Sequence, residues 1–150
     1  MNADPRSRAQ RRHGTEHRLT HDQDVWVGSA STDGAPYLVP LSFEWDGQTL
    51  LMATPKDSPT GRNLAATRVV RLGLGHTRDV SMIEGVVEVL EIDALPQERG
   101  DRFAAQTGFD PRALATPYRW FRVTPRRIQA WREVNELPDR ELMRDGRWLA

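Results

Sequence analysis

The stretch 37–54 constrains the fold most, because its pattern specifies two strands joined by a tight turn. Large apolar side chains occupy every second position of residues 37–45, namely Val39, Leu41, Phe43 and Trp45. A period of two is the pattern of a strand with one buried face. Asp46-Gly47 is a strong hairpin signal, and residues 49–54 form the returning strand. Pro40 predicts an edge, a bulge or a cleft lining, since proline cannot donate a ladder hydrogen bond.

Strand-like segments continue through the rest of the chain and are interrupted by two helical ones. Further strands are predicted over 24–31, 69–75, 80–92, 118–123 and 127–134, and helices over 62–67 and 95–106. We therefore predict a mainly β fold with two helices, an antiparallel closed or split barrel, because closure removes exposed strand edges. A Rossmann fold fits poorly, because its glycine fingerprint is absent and strands do not alternate with helices.

Single residues add detail to this prediction. Gly85 is expected to kink the strand over 80–92. Trp26 and Trp45 alternate with apolar strand positions and are predicted to lie in the core. Trp131 fits either core packing, a stack on a planar ligand or a place at a subunit interface.

The two ends of the chain differ from the middle in composition. Residues 1–18 hold five arginines and almost nothing apolar, so we predict a flexible basic arm there. The barrel domain is expected over residues 19–135, with a charged tail over 136–150. His13, His17 and His21 repeat at a spacing of four, as a helical metal pair would, but a solvated arm is the preferred interpretation.

Composition excludes several classes of function. Formal net charge is zero, with 21 basic and 21 acidic residues, so we expect no nucleic-acid or membrane partner. Cysteine is absent, which excludes disulfides, thiolate catalysis and cysteine-ligated metal. We expect a cytoplasmic location, because no apolar run approaches the roughly 20 residues that span a bilayer and the polar start lacks a signal-peptide core.

Residues 56–75 indicate a ligand. They run from a polar loop broken by Pro59 into a short helix and then into a strand. The first N–H groups of a helix have no intrahelical partner, and the helix dipole favours negative charge there. The segment therefore predicts a site for a phosphorylated ligand. No nucleophile, metal site or acid pair is evident from spacing, so any chemistry would have to come from a cofactor.

The order of motifs resembles the flavin-binding split-barrel family, the pyridoxamine 5'-phosphate oxidase-like proteins. The actinobacterial members that use flavin or the deazaflavin coenzyme F-420 are most similar. The matching motifs are Pro40-Leu41-Ser42-Phe43, Asp46-Gly47, Ala53-Thr54, Ser58, Arg62-Asn63-Leu64 and the strands at 68–75 and 77–89. The resemblance covers about residues 19–135.

This resemblance implies a six-stranded antiparallel split barrel, a homodimer and two cofactor sites at the subunit interface. The ligand phosphate would be held by Ser58, Thr60, Gly61, Arg62 and Asn63. The cofactor ring would lie beside Ser42, Ala53 and Thr54. Asp79 stands near where many members place a ring-contacting glutamine, and Trp131 near a tryptophan that the oxidases supply from the partner subunit.

The phosphate loop departs from the oxidases at two positions. They carry Ser-Arg-Lys where this chain has Ser58-Pro59-Thr60, so Arg62 and Lys56 are the cations that remain. Each lost charge-assisted bond removes about 1.5–3 kcal/mol of binding. The cofactor prediction is therefore FMN or coenzyme F-420, and vitamin B6 oxidation is not predicted.

Three functions are compatible with this sequence. The first is an oxidoreductase that moves hydride between the bound cofactor and a small organic substrate. The second is a non-catalytic protein that stores, carries or senses a flavin-like or tetrapyrrole ligand. The third is a dimeric scaffold whose cleft has degenerated.

Overall fold

A computed structural model describes residues 3–150, and this part of the chain forms a barrel flanked by three α-helices. The strands are β1 (Asp24–Ala30), β2 (Pro36–Trp45), β3 (Leu50–Pro55), β4 (Val69–His76), β5 (Asp79–Glu91), β6 (Tyr118–Trp131), β7 (Glu141–Arg144) and β8 (Arg147–Trp148). The helices are α1 (Arg8–His21), α2 (Pro59–Thr67) and α3 (Gln97–Thr107). No helix within residues 3–150 is long and apolar enough to cross a membrane.

The six strands β1–β6 close into an antiparallel barrel. Their order is β3-β2-β1-β4-β5-β6, and β6 pairs with β3 to complete the ring, while β7 and β8 extend the sheet from β6. Asp46-Gly47 forms the turn between β2 and β3, as predicted. The prediction of a six-stranded antiparallel split barrel is confirmed, although residues 3–150 contain three α-helices rather than two.

One long strand, β6, replaces the two strands predicted over 118–123 and 127–134. Pro125 lies opposite Gly85, where the register between β5 and β6 shifts. The ladder is interrupted at that bulge, so proline is tolerated inside the strand. The kink expected at Gly85 is confirmed. A Cβ there would lie 2.5 Å from Cγ1 of Val123, so only glycine fits.

The core has two parts. The barrel interior is filled by large apolar side chains that include Phe43, Leu72, Ile83 and Phe121. A second cluster lies outside β3 and β6, beneath α3, and contains Leu51, Ala53, Leu95, Phe103 and Trp120. The prediction for Trp26 is wrong, because its side chain lies on the outer face of β1 and is 52% exposed. Trp45 packs against the barrel core and is partly buried.

The N-terminal segment is a packed helix, which corrects the prediction of a flexible arm over residues 1–18. Residues 1 and 2 lie outside the described part of the chain. Ser7 caps α1 in a capping box with Gln10. The buried face of α1 consists of Arg11, Thr15 and Leu19, and the Thr15 hydroxyl lies 2.7 Å from that of Ser81 on β5.

The C-terminal segment also packs on the barrel. Leu142 and Met143 of β7 are buried in the main core. Arg8 of α1 donates to the carbonyl oxygen of Glu141, and the Arg12 guanidinium lies 4.4 Å from the Trp148 ring centroid. The two ends of the chain therefore close over one end of the barrel together.

Candidate functional site

Residues 56–63, called here the α2 loop, comprise the turn after β3 and the first residues of α2, and they are built as a helix N-terminus. The Ser58 hydroxyl accepts a hydrogen bond from the Gly61 N–H at 3.0 Å and donates to the Pro55 carbonyl at 2.8 Å. Pro59 occupies the first turn, where a missing N–H does no harm. A Cβ on Gly61 would lie 2.4 Å from the Pro55 oxygen. Glycine is therefore what lets α2 begin so close to β3.

Buried polar side chains fasten the α2 loop to the barrel. Thr60 is buried, and the Thr54 hydroxyl lies 3.3 Å from the Ser58 hydroxyl. Asn63 donates through Nδ2 to the Ser29 hydroxyl of β1 at 3.1 Å. These predicted site residues are brought together by the structure, and their observed contacts hold the loop in place.

Arg62 is the exposed cation of the predicted phosphate set. It projects from the first turn of α2, and its Nη1 donates to the Asp57 carbonyl oxygen at 2.6 Å. Lys56 is half-buried at the start of the loop. An anion at this helix end would meet chiefly the exposed Arg62 guanidinium, because the Gly61 and Arg62 N–H groups already donate to Ser58 and Pro59 has none.

The residues expected beside a cofactor ring are not gathered around the α2 loop. Ala53 packs in the second core cluster under α3. Ser42 lies on β2, one residue before the Phe43–Met52 pair, and its hydroxyl donates to Asp24 at 2.8 Å. Thr54 alone lies at the loop.

Asp79 and Trp131 also lie far from the loop. Pro55 pairs with Tyr118 at the start of β6, whereas Trp131 ends β6 and pairs with Val80 next to Asp79. Thirteen residues of strand separate the two levels, which is about 40 Å along β6. Within one chain, these side chains and the α2 loop therefore lie at opposite ends of β6.

An open apolar groove of about 900 Å³, called here the outer groove, lies on the outer face of β2, β1, β4 and β5. Its exposed walls include Tyr37, Leu38, Val69 and Val86, and Leu38 is 64% exposed. Ser29, which binds Asn63 of α2, also lines it. Residues 56–63 themselves do not line the groove, which approaches α2 at Ser29.

The outer groove was not predicted, because no single segment of the sequence contains it. The outward positions of four strands build it. Exposed Trp26 continues the same face along β1. A signal was present, since Leu38 and Val69 are apolar on the face opposite their core-facing neighbours.

At the far end of the barrel, acidic side chains are surrounded by guanidinium groups. Arg18 and Arg132 contact the Asp79 carboxylate at 3.0 and 3.1 Å. Arg6 binds buried Glu136 through two nitrogens at 3.0 and 2.8 Å. The hydrogen bonds from the Arg6 guanidinium, which outweigh the effect of burial, lower the pKa of Glu136 to about 2.

Comparison with known proteins agrees with this geometry. The family model for pyridoxamine 5'-phosphate oxidase matches residues 16–132. The chain therefore belongs to the pyridoxamine 5'-phosphate oxidase family, as the motifs predicted. No curated protein matches it.

Solved structures show the same fold at low sequence identity. An F420 reductase is 19% identical with a TM-score of 0.61, and the match covers 75% of this chain and 94% of that one. A conserved hypothetical protein from Mycobacterium tuberculosis is 17% identical with a TM-score of 0.65, covering 90% and 91%. A protein from Clostridium acetobutylicum related to general stress protein 26 is 14% identical with a TM-score of 0.63, covering 86% and 92%.

Proposed function

We propose that the protein is an oxidoreductase that binds FMN or coenzyme F-420 between two copies of the chain. The cofactor would lie in the outer groove with its phosphate at the α2 loop. The observation that carries the proposal is the Ser29–Asn63 contact, which joins the groove wall to the helix behind that loop. The similarity to a solved F420 reductase supports the deazaflavin as one of the two candidates.

The exposed apolar side chains support a homodimer. Leu38, Val69 and Val86 are each at least 46% exposed on one face, and a contiguous apolar face of this kind marks an interaction surface. A second copy would cover this face. It would also offer a route by which Asp79 or Trp131 joins a cofactor held at the α2 loop, since these residues lie at the opposite end of β6 within one chain.

The residues of this chain would bind and orient rather than donate protons. The bound cofactor supplies the hydride chemistry. The groove walls would exclude water from a flat ring, and the helix N-terminus with Arg62 would hold the phosphate. Arg71 and Glu84, the charged pair among the groove residues, form an ion pair with each other.

Titration of the purified protein with FMN and with coenzyme F-420, followed by absorbance and fluorescence, tests the proposal. We expect one of them to bind with a Kd below about 100 µM, which is roughly −5.5 kcal/mol. Absence of binding by both at that level contradicts the proposal.

Substitution of Arg62 tests the position of the phosphate. Arg62→Ala should weaken cofactor binding by about tenfold or more, because a charge-assisted contact contributes roughly 1.5–3 kcal/mol. Its stability should stay unchanged, since the side chain is exposed. Arg122→Ala is the matched control, because Arg122 pairs with Glu88 away from the groove. Equal affinities for the two variants would place the phosphate elsewhere.

A non-catalytic carrier of a flavin-like or tetrapyrrole ligand is the second candidate. The replacement of two loop cations by Pro59 and Thr60 favours it, because a weaker phosphate anchor matters less for a carrier than for an enzyme. Steady-state assays with chemical electron donors and acceptors separate the two functions. Tight binding without turnover of any donor would support the carrier.

A further inference from the structure

A second charged pocket lies between α1 and the barrel, at the end opposite the α2 loop. We call it the α1 pocket; its volume is about 230 Å³. Its charged lining consists of Arg6, Arg11, Arg18, Asp79 and Arg132. Its lining also includes His13 and His17 on α1. Arg6 and Arg11 precede residue 16, where the family match begins, so half of the pocket's arginines come from outside the matched region.

The fixed charges of the α1 pocket do not balance. Four guanidinium groups line it, but the nearby carboxylates are Asp79 in the lining and Glu136 behind it, bound to Arg6. The excess is therefore two positive charges. Partly buried like charges repel one another more strongly than exposed ones, because water screens them less. An anion in the pocket would relieve that repulsion.

The pocket also holds hydrogen-bond donors that the described residues leave unused. Arg18 is committed to Asp79, donating to its carbonyl oxygen at 2.7 Å and contacting its carboxylate at 3.0 Å. Arg132 contacts Asp79 through Nε alone, at 3.1 Å. Within residues 3–150, both terminal nitrogens of Arg132 therefore have no protein partner, and the side chain is 53% exposed at the mouth of the pocket. A pair of guanidinium N–H groups matches two oxygens of a carboxylate or phosphate.

Gly75 lies against this arginine cluster, at a position where a larger residue would clash with Arg18. Gly75 has φ +87°, and a Cβ on it would lie 2.1 Å from Nη1 of Arg18 and 2.3 Å from the Asp79 carbonyl oxygen. A side chain at this position would displace the guanidinium from the pocket. Arg18 can therefore stay close to Asp79 only because position 75 is a glycine.

We propose that the α1 pocket binds a small oxyanion, a phosphate or carboxylate group, with the free edge of Arg132 as its main contact. The site is separate from the proposed cofactor phosphate site at the α2 loop. Its volume lies below the roughly 300–1,000 Å³ of drug-sized ligand sites. A small anion or one anionic group of a larger molecule fits, and a whole nucleotide does not.

Thermal unfolding and calorimetry with inorganic phosphate and with acetate test the proposal, using potassium chloride at equal ionic strength as the reference. We expect phosphate or acetate to raise Tm by a few degrees above chloride, because a ligand that binds only the folded state stabilises it. The anion that raises Tm more identifies the oxyanion group that the pocket prefers. No shift beyond that in chloride overturns the proposal.

Two substitutions with opposite expected signs locate the effect. Arg132→Gln should weaken anion binding by about tenfold or more, since it removes the free charged edge. Asp79→Asn should strengthen it severalfold, because it removes the competing carboxylate from the pocket. If the network is only structural, both variants should lose stability and Asp79→Asn should gain no anion affinity. Asp79→Asn therefore distinguishes a binding site from a structural network even if Arg132→Gln does not fold.

Control variants separate this proposal from the cofactor proposal. Arg122→Gln, on β6 and outside the pocket, should bind the anion as the wild type does. Arg62→Ala should also keep anion binding while losing cofactor affinity. Loss of anion binding in Arg62→Ala would show that the anion occupies the α2 loop and would overturn the α1 pocket.

Discussion

The two ends of the barrel differ in how their charged side chains are paired. At the α2 loop the polar groups are mostly satisfied by each other, and one exposed cation, Arg62, projects from a helix N-terminus. At the α1 end several arginines are fixed around Asp79 and Glu136. The first arrangement leaves one exposed guanidinium available to a ligand at little structural cost. The second makes the fold itself depend on charge pairing, so the same kind of substitution should have very different effects at the two ends.

The largest expected effect is the loss of stability on removing Glu136. This carboxylate is almost fully buried, binds Arg6 through both oxygens and accepts from the Arg132 N–H at 2.8 Å. Glu136→Gln should lower the free energy of unfolding by about 2–4 kcal/mol, because it leaves buried guanidinium charge without its partner. Urea denaturation measures this.

A matched exposed pair supplies the control for that substitution. Glu88→Gln, which removes the surface partner of Arg122, should cost less than about 1 kcal/mol. Similar losses for the two variants would mean that the α1 end is no more dependent on charge pairing than the surface.

Acid should weaken the contribution of the Glu136–Arg6 pair to stability. The pKa of Glu136 is about 2 in the folded chain, against an ordinary value of 4.5. A lowered folded pKa gives stability that is fully present above about pH 4.5 and is lost as the pH falls toward 2. The contribution is on the order of 3 kcal/mol. Stability measured between pH 6 and pH 3 should fall more steeply in the wild type than in Glu136→Gln, and parallel curves would contradict the assignment.

Substitutions of Gly61 in α2 and Gly14 in α1 compare the helices at the two ends of the barrel. Gly61→Ala should destabilise the α2 end by about 1–3 kcal/mol, because its Cβ would meet the Pro55 oxygen at 2.4 Å. Gly14→Ala in α1 should stabilise by about 0.5–1 kcal/mol, since its Cβ would meet nothing closer than 3.9 Å in a helix interior. Thermal unfolding of both variants measures the signs. A stable Gly61→Ala would show that α2 can shift away from β3.

The barrel could be predicted from the sequence because its signals are local. Alternation over residues 37–45, the Asp46-Gly47 turn and the kink at Gly85 each act within a few residues. A short helix after the Pro59 loop was also predicted, although α2 begins at Pro59, three residues ahead of the predicted range. The sequence could not show that Ser58 and Asn63 are hydrogen-bonded to the barrel.

The rest depends on contacts between distant parts of the chain. Helix α1 buries a single leucine, and its Arg11 is accommodated by the carbonyl oxygens of Ala130 and Glu136, more than 100 positions away. A buried arginine satisfied in this way looks like a solvated one in the sequence, so a flexible arm was predicted. The outer groove was missed for a similar reason, because four strands contribute to it from their outward faces.

The central claim is that two copies of the chain build one cofactor site on the outer groove. Leu38→Asp tests it most directly, because Leu38 is 64% exposed at the groove and its replacement should not disturb the core. Leu114→Asp, at a residue 45% exposed outside the groove, is the control. Sedimentation velocity combined with cofactor titration should find a dimer that binds FMN or coenzyme F-420 for the wild type and Leu114→Asp, and a folded monomer without measurable binding for Leu38→Asp. A Leu38→Asp monomer that binds the cofactor with wild-type affinity would contradict the account.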